Sequence, residues 1–305
     1  DSNRPVPTDY TALRLITQPE WLAEAARITL SSKGAHTPGV DGVSKAKLQA
    51  RLPAELQRLS EELLSGHYQP MPARRIYIPK SNGKLRPLDI PALRDRIVQR
   101  AMLMAMEPIW ESDFHTLSCG FRPERSVHHA IRTVKYSVPD CGETRGRWVI
   151  EGDLSSYFDT VHHRLLMKAV RRRIRDPRFM ALLWKIIKAG HVDVELFWAA
   201  SEGVPQGGVI SSLLSNIMLN KFDQYLHERY LSGKARKDRW YWNNSIRGVE
   251  DSLKLRLNMD KTRIIHVNDG FIFLGHRIIR KRSRYGGMRV VTTIPRDKAR
   301  NFAAP

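Results

Sequence analysis

Asn82-Gly83 stands between Arg75-Ile76-Tyr77-Ile78-Pro79-Lys80 and Leu85-Arg86-Pro87-Leu88, and Asn-Gly between two extended runs is a strong short-range hairpin signal. An antiparallel pair can therefore form locally here, in a chain whose first seventy residues are patterned as helix. Trp21, Leu22, Ala25, Ala26 and Ile28 make one apolar face, and Leu48, Leu52, Leu56 and Leu59 another. Between them Gly34 to Gly42 reads as a loop by its glycine and proline content. After the hairpin, Leu93–Trp110 predicts a helix with Ile97, Met102, Leu103 and Met106 turned inward.

Trp148–Asp153 predicts a strand that breaks into the polar turn Leu154-Ser155-Ser156. A helix from about His162 must end before Pro177, because the residue preceding a proline avoids the α region. Gly203-Val204-Pro205-Gln206-Gly207-Gly208 is a loop leading into a helix near Ser211–Leu226, with Leu214, Met218 and Phe222 on one stripe and Ser211 or Ser212 as its cap. Phe271–His276 reads as a final strand, and Thr293–Pro305 as the start of a further element. No internal repeat appears, which excludes solenoids and propellers.

Fifty-one Lys and Arg residues against 31 Asp and Glu give a net charge of +20, while 42% hydrophobic content is ordinary for a folded body. A globular surface this basic expects a polyanion, and nucleic acid ranks ahead of a membrane because no basic amphipathic anchor stands out. Two cysteines without a CxxC pair can neither staple the chain nor ligate a structural zinc, which points to a reducing compartment. Apolar stretches are far shorter than the roughly 20 residues of a spanning helix. With no charged-then-apolar leader at Asp1, a cytoplasmic, nucleic-acid-associated protein is expected.

Several constellations could carry chemistry. Asp153 lies where a strand opens into a turn, with Glu151 on the same face by alternation, and carboxylates at strand ends hold the paired cations of phosphoryl-transfer enzymes. Capping of the Ser155-Ser156 turn explains the same peptide as well. Lys80, Lys84 and Arg86 surround the hairpin turn and could close on a triphosphate. A two-residue loop separates Lys80 and Arg86 onto opposite faces, whereas a three-residue loop of Asn82, Gly83 and Lys84 sets them opposite each other; the second is expected. Charges at such a tip also serve merely to discourage edge pairing. Pro205-Gln206-Gly207-Gly208 could offer backbone amides to a phosphate before a helix, or simply turn the chain. Trp240-Tyr241-Trp242, in basic surroundings, could stack bases or anchor a surface loop.

In their order along the chain, these blocks resemble the reverse-transcriptase domain of group II intron-encoded proteins or of group II intron-like relatives. Pro38-Gly39-Val40-Asp41-Gly42 resembles the family's N-terminal extension motif, Ile78 to Pro87 its first fingers motif, and Gly120-Phe121-Arg122-Pro123-Glu124-Arg125-Ser126 its second. Glu151-Gly152-Asp153 through Phe158-Asp159 is similar to the palm's first aspartate motif, and Pro205 to Ser211 to the next. Leu257-Asn258-Met259-Asp260-Lys261-Thr262 and Phe273-Leu274-Gly275-His276 match the late palm blocks.

The resemblance implies an α+β right-hand polymerase: an N-terminal extension and helical fingers over 1–70, fingers over 71–146, an antiparallel-sheet palm over 147–292, and an incomplete thumb from 293. It implies an RNA-directed DNA polymerase in which a primer 3′-hydroxyl attacks the α-phosphate of a deoxynucleoside triphosphate on an RNA or DNA template, with intron RNA as a further partner. Two Mg2+ ions, with Mn2+ as an alternative, would be held by Asp153 and the Leu154 carbonyl. Ser156 and Tyr157 would touch the triphosphate through their backbone, Phe158 would be the steric gate against a ribose 2′-hydroxyl, Lys80 and Arg86 would bind phosphates, Gln206 would sit beside the nucleotide, and Lys261 would act as acid toward pyrophosphate.

One departure is large. The family carries its other metal aspartates in a Tyr-x-Asp-Asp hairpin between the Gln206 helix and the Lys261 block, yet no two aspartates are adjacent anywhere in these 305 residues. Either a strand-turn-strand with paired aspartates belongs between about Arg247 and Glu250 in the native protein, which is the expected case, or this palm has lost catalysis. The latter would be a noncatalytic RNA-binding protein such as a maturase. A reverse transcriptase of a retron or diversity-generating element fits the Pro38–Gly42 block less well.

Overall fold

The computed structural model describes residues 12–80, 83–138, 148–194, 196–228 and 253–295. The chain divides into two compact units: residues 1–114 with 156–254, and 115–155 with 255–305.

The first unit opens with helices α1 (Ala12–Ile16), α2 (Pro19–Ser31), α3 (Lys45–Gln49) and α4 (Leu52–Ser65), followed by strands β1 (Ala73–Pro79) and β2 (Leu85–Ile90) and the long helix α5 (Leu93–Glu111). The apolar spacing noted above becomes the packing surface: Leu22, Ala25 and Ala26 of α2 and Ile97, Met102 and Met106 of α5 are fully buried. The loop after α2 is fixed by Arg96, whose guanidinium donates to the carbonyls of Pro91 at 2.7 Å, Gly34 at 2.8 Å and Thr37 at 2.7 Å. Gly39 must be glycine, since a Cβ there would stand 2.5 Å from Ala92 Cα.

The hairpin forms, but in a different register from that expected. Ile78 faces Arg86 and Pro79 faces Leu85, and the turn closes from Lys80 N–H to the Lys84 carbonyl at 2.8 Å. Lys80 is thus opposite Lys84, two residues from the predicted pairing with Arg86. Just before Lys84, Gly83 takes the left-handed φ of +76° that such a tight return needs. Strand alternation still leaves Lys80, Lys84 and Arg86 on one face. β1 also pairs in parallel with β4 (His191–Asp193), which pairs antiparallel with β5 (Leu196–Trp198), giving the sheet order β2-β1-β4-β5.

This unit is completed by α7 (His163–Arg171), α8 (Pro177–Lys188) and α9 (Ser211–Leu226). Pro177 at the first position of α8 separates it from α7, and Asp176 accepts from the amides of Arg178 and Phe179. Neither serine caps α9. Ile210 already has helical angles and holds the cap position, so Ser211 is the first helical residue. A Cβ on Gly208 would fall 2.5 Å from Ser211 Oγ, so the hydroxyl is turned back toward the loop.

In the second unit, α6 (Val127–Ser137) follows the Gly120–Ser126 block, where Ser126 and His129 form a reciprocal cap and Arg122 is clamped to the carbonyls of His115 and Ser118 at 2.7 and 2.8 Å. Strand β3 (Trp148–Glu151) pairs antiparallel with β6 (Arg263–His266). Strands β7 (Phe271–Phe273), β8 (His276–Arg282) and β9 (Met288–Thr293) form a meander. Ile131, Val138, Val267, Phe271, Ile278 and Val290 make the core. Phe271–His276 is therefore not a final strand. Leu274 at φ +48° and Gly275 at φ +80° form a two-residue turn, the geometry that matches strand twist in a tight hairpin, and two more strands follow it.

Candidate active-site residues

Asp153 is placed by backbone pairing just past the end of β3. Its carbonyl accepts from Asn258 N–H at 2.7 Å, Ser155 N–H donates to the Arg256 carbonyl at 2.8 Å, and Leu154 bridges Leu257 between them. In this pattern Leu154 exchanges no hydrogen bond with Leu257, so its carbonyl points to the other side. The Asn258-to-Lys261 turn returns Lys261 to the strand end, where its Nζ lies 2.8 Å from Asp153 Oδ2. That hydrogen bond, followed by the Asp153 charge, raises the lysine's pKa and holds its proton. Glu151 is engaged by Arg263 at 2.8 Å and so is drawn away from Asp153 chemistry.

These donors fit a cation only in part. Asp153 brings one carboxylate and Leu154 one carbonyl, and among the described residues no group of three His, Cys, Asp or Glu could hold a metal. Two dications need further carboxylates, so the described donor set does not itself make a two-metal centre.

The other expected residues belong to the first unit. Ser156 is exposed in the left-handed region at φ +44° and opens the single turn Tyr157–Asp159. Tyr157 is pinned by its hydroxyl to the Ser215 carbonyl at 2.7 Å, and burial raises its pKa. Phe158 is half-buried, its ring 5.9 Å from that of Tyr157. The segment 203–204 runs alongside: Val204 N–H donates to the Phe158 carbonyl at 2.7 Å, and Gly203 N–H to the Val161 carbonyl at 2.8 Å. The Gly203 carbonyl is in turn held by His163 Nε2 at 2.6 Å. Gly203 (φ +88°) has no room for a side chain, because a Cβ would meet the Asp159 carbonyl at 2.8 Å.

Gln206 is fixed at both ends. Its carbonyl accepts from Asp89 N–H at the free edge of β2, 2.6 Å away, its Nε2 donates to Asp159 Oδ2 at 3.2 Å, and its Oε1 accepts from Arg86 Nε at 3.4 Å. Arg86, Gln206 and the Phe158-Asp159 turn are thus brought together, with Lys80 on the Arg86 face of the hairpin. Three amides after Gly207 are already engaged within the fold. The amide of Gly208 is taken by the Pro205 carbonyl, that of Ser211 by the Gly208 carbonyl, and that of Val209 by Gln99 Oε1 at 2.9 Å. Asp159 closes the Glu151–Asp159 block that resembles the palm's first aspartate motif, but the sequence assigns it no role of its own. Burial raises its pKa, against Arg75 and the Gln206 hydrogen bond, which lower it. The Trp240-Tyr241-Trp242 triplet and the Arg247–Glu250 junction lie outside the described residues.

The family model described as "Reverse transcriptase (RNA-dependent DNA polymerase)" matches residues 78–278, and the chain belongs to the reverse transcriptase family. It is 77% identical to protein YkfC of Escherichia coli (strain K12), over 338 aligned positions covering 96% of this chain and 89% of that protein. It is 35% identical over 219 residues to the group II intron-encoded protein LtrA of Lactococcus lactis subsp. cremoris, covering 70% of this chain and 34% of LtrA. The putative COX1/OXI3 intron 2 protein of Saccharomyces cerevisiae is 36% identical over 200 residues, covering 65% of this chain and 22% of that protein. The chain thus spans about a third or less of these two intron proteins. Its kinship is with group II intron-type reverse transcriptases and maturases. No helix among the described residues is long and apolar enough to cross a membrane.

Proposed function

We propose that the protein is an RNA-directed DNA polymerase that extends a primer on an RNA or DNA template, drawing deoxynucleotides one at a time. The observation that carries this reading is the Arg86–Gln206–Asp159 chain of hydrogen bonds beside Phe158, within the segment that the reverse-transcriptase model matches. Arg86 and Lys80 bind the triphosphate oxygens, Gln206 lies beside the nucleotide, the Ser156-Tyr157 backbone contacts the phosphates, and the Phe158 ring excludes a ribose 2′-hydroxyl. Asp153 and the Leu154 carbonyl are the residues that would hold a divalent cation, whose chemistry is to activate the attacking hydroxyl and neutralise the leaving phosphates. Lys261, kept protonated by Asp153, gives a proton to the departing pyrophosphate.

The carboxylates missing from the described donor set are assigned to an internal segment between about Arg247 and Glu250 of the native protein. The E. coli relative supports this: its 338 aligned positions exceed the 305 residues of this chain by 33, so at least that many of its positions have no counterpart here. The second reading is a noncatalytic nucleic-acid-binding protein that assists intron RNA. It is favoured by the lack of adjacent aspartates in the sequence and by Lys261, which already neutralises Asp153. Primer extension with and without Mg2+ separates the two.

A further inference from the structure

We infer that Asp159 is a positioning residue that orients the Gln206 amide, so that Gln206 Oε1 receives Arg86 Nε–H and the guanidinium's terminal nitrogens are left for nucleotide phosphates. The inference rests on the polymerase reading for what Arg86 grips, but its geometry stands on the fold alone.

An ionised carboxylate only accepts hydrogen bonds and a guanidinium only donates them. With Asp159 Oδ2 3.2 Å from one end of the Gln206 amide and Arg86 Nε 3.4 Å from the other, a single orientation satisfies both neighbours: Nε2 toward Asp159 and Oε1 toward Arg86. The nearby Asp89 carboxylate does not compete. Arg75 engages it with Nε at 2.8 Å and Nη2 at 3.0 Å, while the Asp89 amide anchors the Gln206 backbone at 2.6 Å. Asp159 is itself immobilised, since the adjacent Phe158 carbonyl is tied to Val204 and Gly203 leaves no slack against the Asp159 backbone. The half-buried acid therefore holds a half-buried amide, which holds an exposed arginine. Pre-arranging a phosphate-gripping guanidinium in this way lowers the ordering cost of binding.

A double-mutant cycle on the full chain tests it. dATP binding is measured with a template and a dideoxy-terminated primer for the wild type, Asp159→Asn, Arg86→Ala and the combination, and spectra of the same proteins are recorded with 15N-glutamine. Asp159→Asn is expected to weaken dATP about tenfold, the scale of one lost charge-assisted hydrogen bond, and to cost nothing further once Arg86 is alanine. The Gln206 side-chain amide, assigned by its disappearance in Gln206→Leu, is expected to shift in Asp159→Asn. Should Asp159→Asn not fold, Asp159→Ser with and without Arg86→Ala supplies the same cycle. Equal weakening with and without Arg86 overturns the inference, because a merely structural role would persist. If the wild type binds no dATP, the polymerase reading fails and the spectrum alone decides: an unmoved Gln206 amide overturns the positioning role, and a shifted one supports it.

Discussion

Lys261 Nζ sits 2.8 Å from Asp153 Oδ2 although the two residues are 108 positions apart, because the Asn258–Lys261 turn is fastened to the end of β3 by the Asn258–Asp153 backbone bond. Both side chains are open to solvent, at 46% for Asp153 and 66% for Lys261, so the pair adds little stability. Its interest is chemical: the acid proposed to hold a cation already touches the lysine proposed to protonate a leaving group.

Asp153→Asn is expected to abolish nucleotide addition while leaving template–primer affinity within about twofold, because affinity rests on the many Lys and Arg contacts to phosphates rather than on one carboxylate. Extension and duplex binding measured on one preparation check this. Near-normal extension by the variant would remove Asp153 from the metal role.

Phe158→Ala is expected to raise ribonucleotide incorporation relative to deoxynucleotide, since removing the ring opens space where a 2′-hydroxyl would collide. The ring is half-buried, so its loss should cost less than the roughly 3–5 kcal/mol of a fully buried phenylalanine. Single-nucleotide incorporation by the folded variant is the check, and unchanged sugar discrimination would sink the gate.

Asp95 gives the fold a pH dependence. Burial pushes its carboxyl up to about 6, outweighing the Tyr68 hydroxyl at 2.6 Å, the Met71 amide at 2.9 Å and Arg94, all of which favour the anion. Because the folded value is raised above that of the unfolded chain, the fold prefers the protonated acid. This contribution is complete below about pH 4, the unfolded value, and is lost as pH rises through about 6. It amounts to roughly 3 kcal/mol at most. Urea unfolding of wild type and Asp95→Asn from pH 4 to 7 should show the wild type losing stability relative to the variant over that span; a constant difference would contradict it.

The hairpin was legible because Asn82-Gly83 punctuates two extended runs, and the helices because their apolar spacing matches the buried faces of α2 and α5. The register was not, since it depends on which backbone pair closes the turn, Lys80 with Lys84 rather than with Arg86. The Ser211 cap failed because Ile210 was already helical. The role of Asp159 was not legible, although its block was, because its partner Gln206 lies 47 residues away, a pairing no local pattern encodes. The meander after Phe273 was hidden by the charged sequence of β8, whose buried residues Ile278 and Ile279 are flanked by Arg277, Arg280 and Lys281.

The native protein is expected to be heavier than 35.1 kDa, with a peptide that maps to the junction between Arg247 and Glu250 and carries paired aspartates. Intact mass and peptide mapping decide this; a mass equal to that of the 305-residue chain would favour the noncatalytic reading.

The most direct test of the polymerase claim is primer extension by the native protein on an artificial RNA template, with Mg2+ and with the metal chelated. Template-directed addition of deoxynucleotides that requires Mg2+ and Asp153 is the predicted result. Firm binding of the template–primer with no nucleotide added under either condition would contradict it.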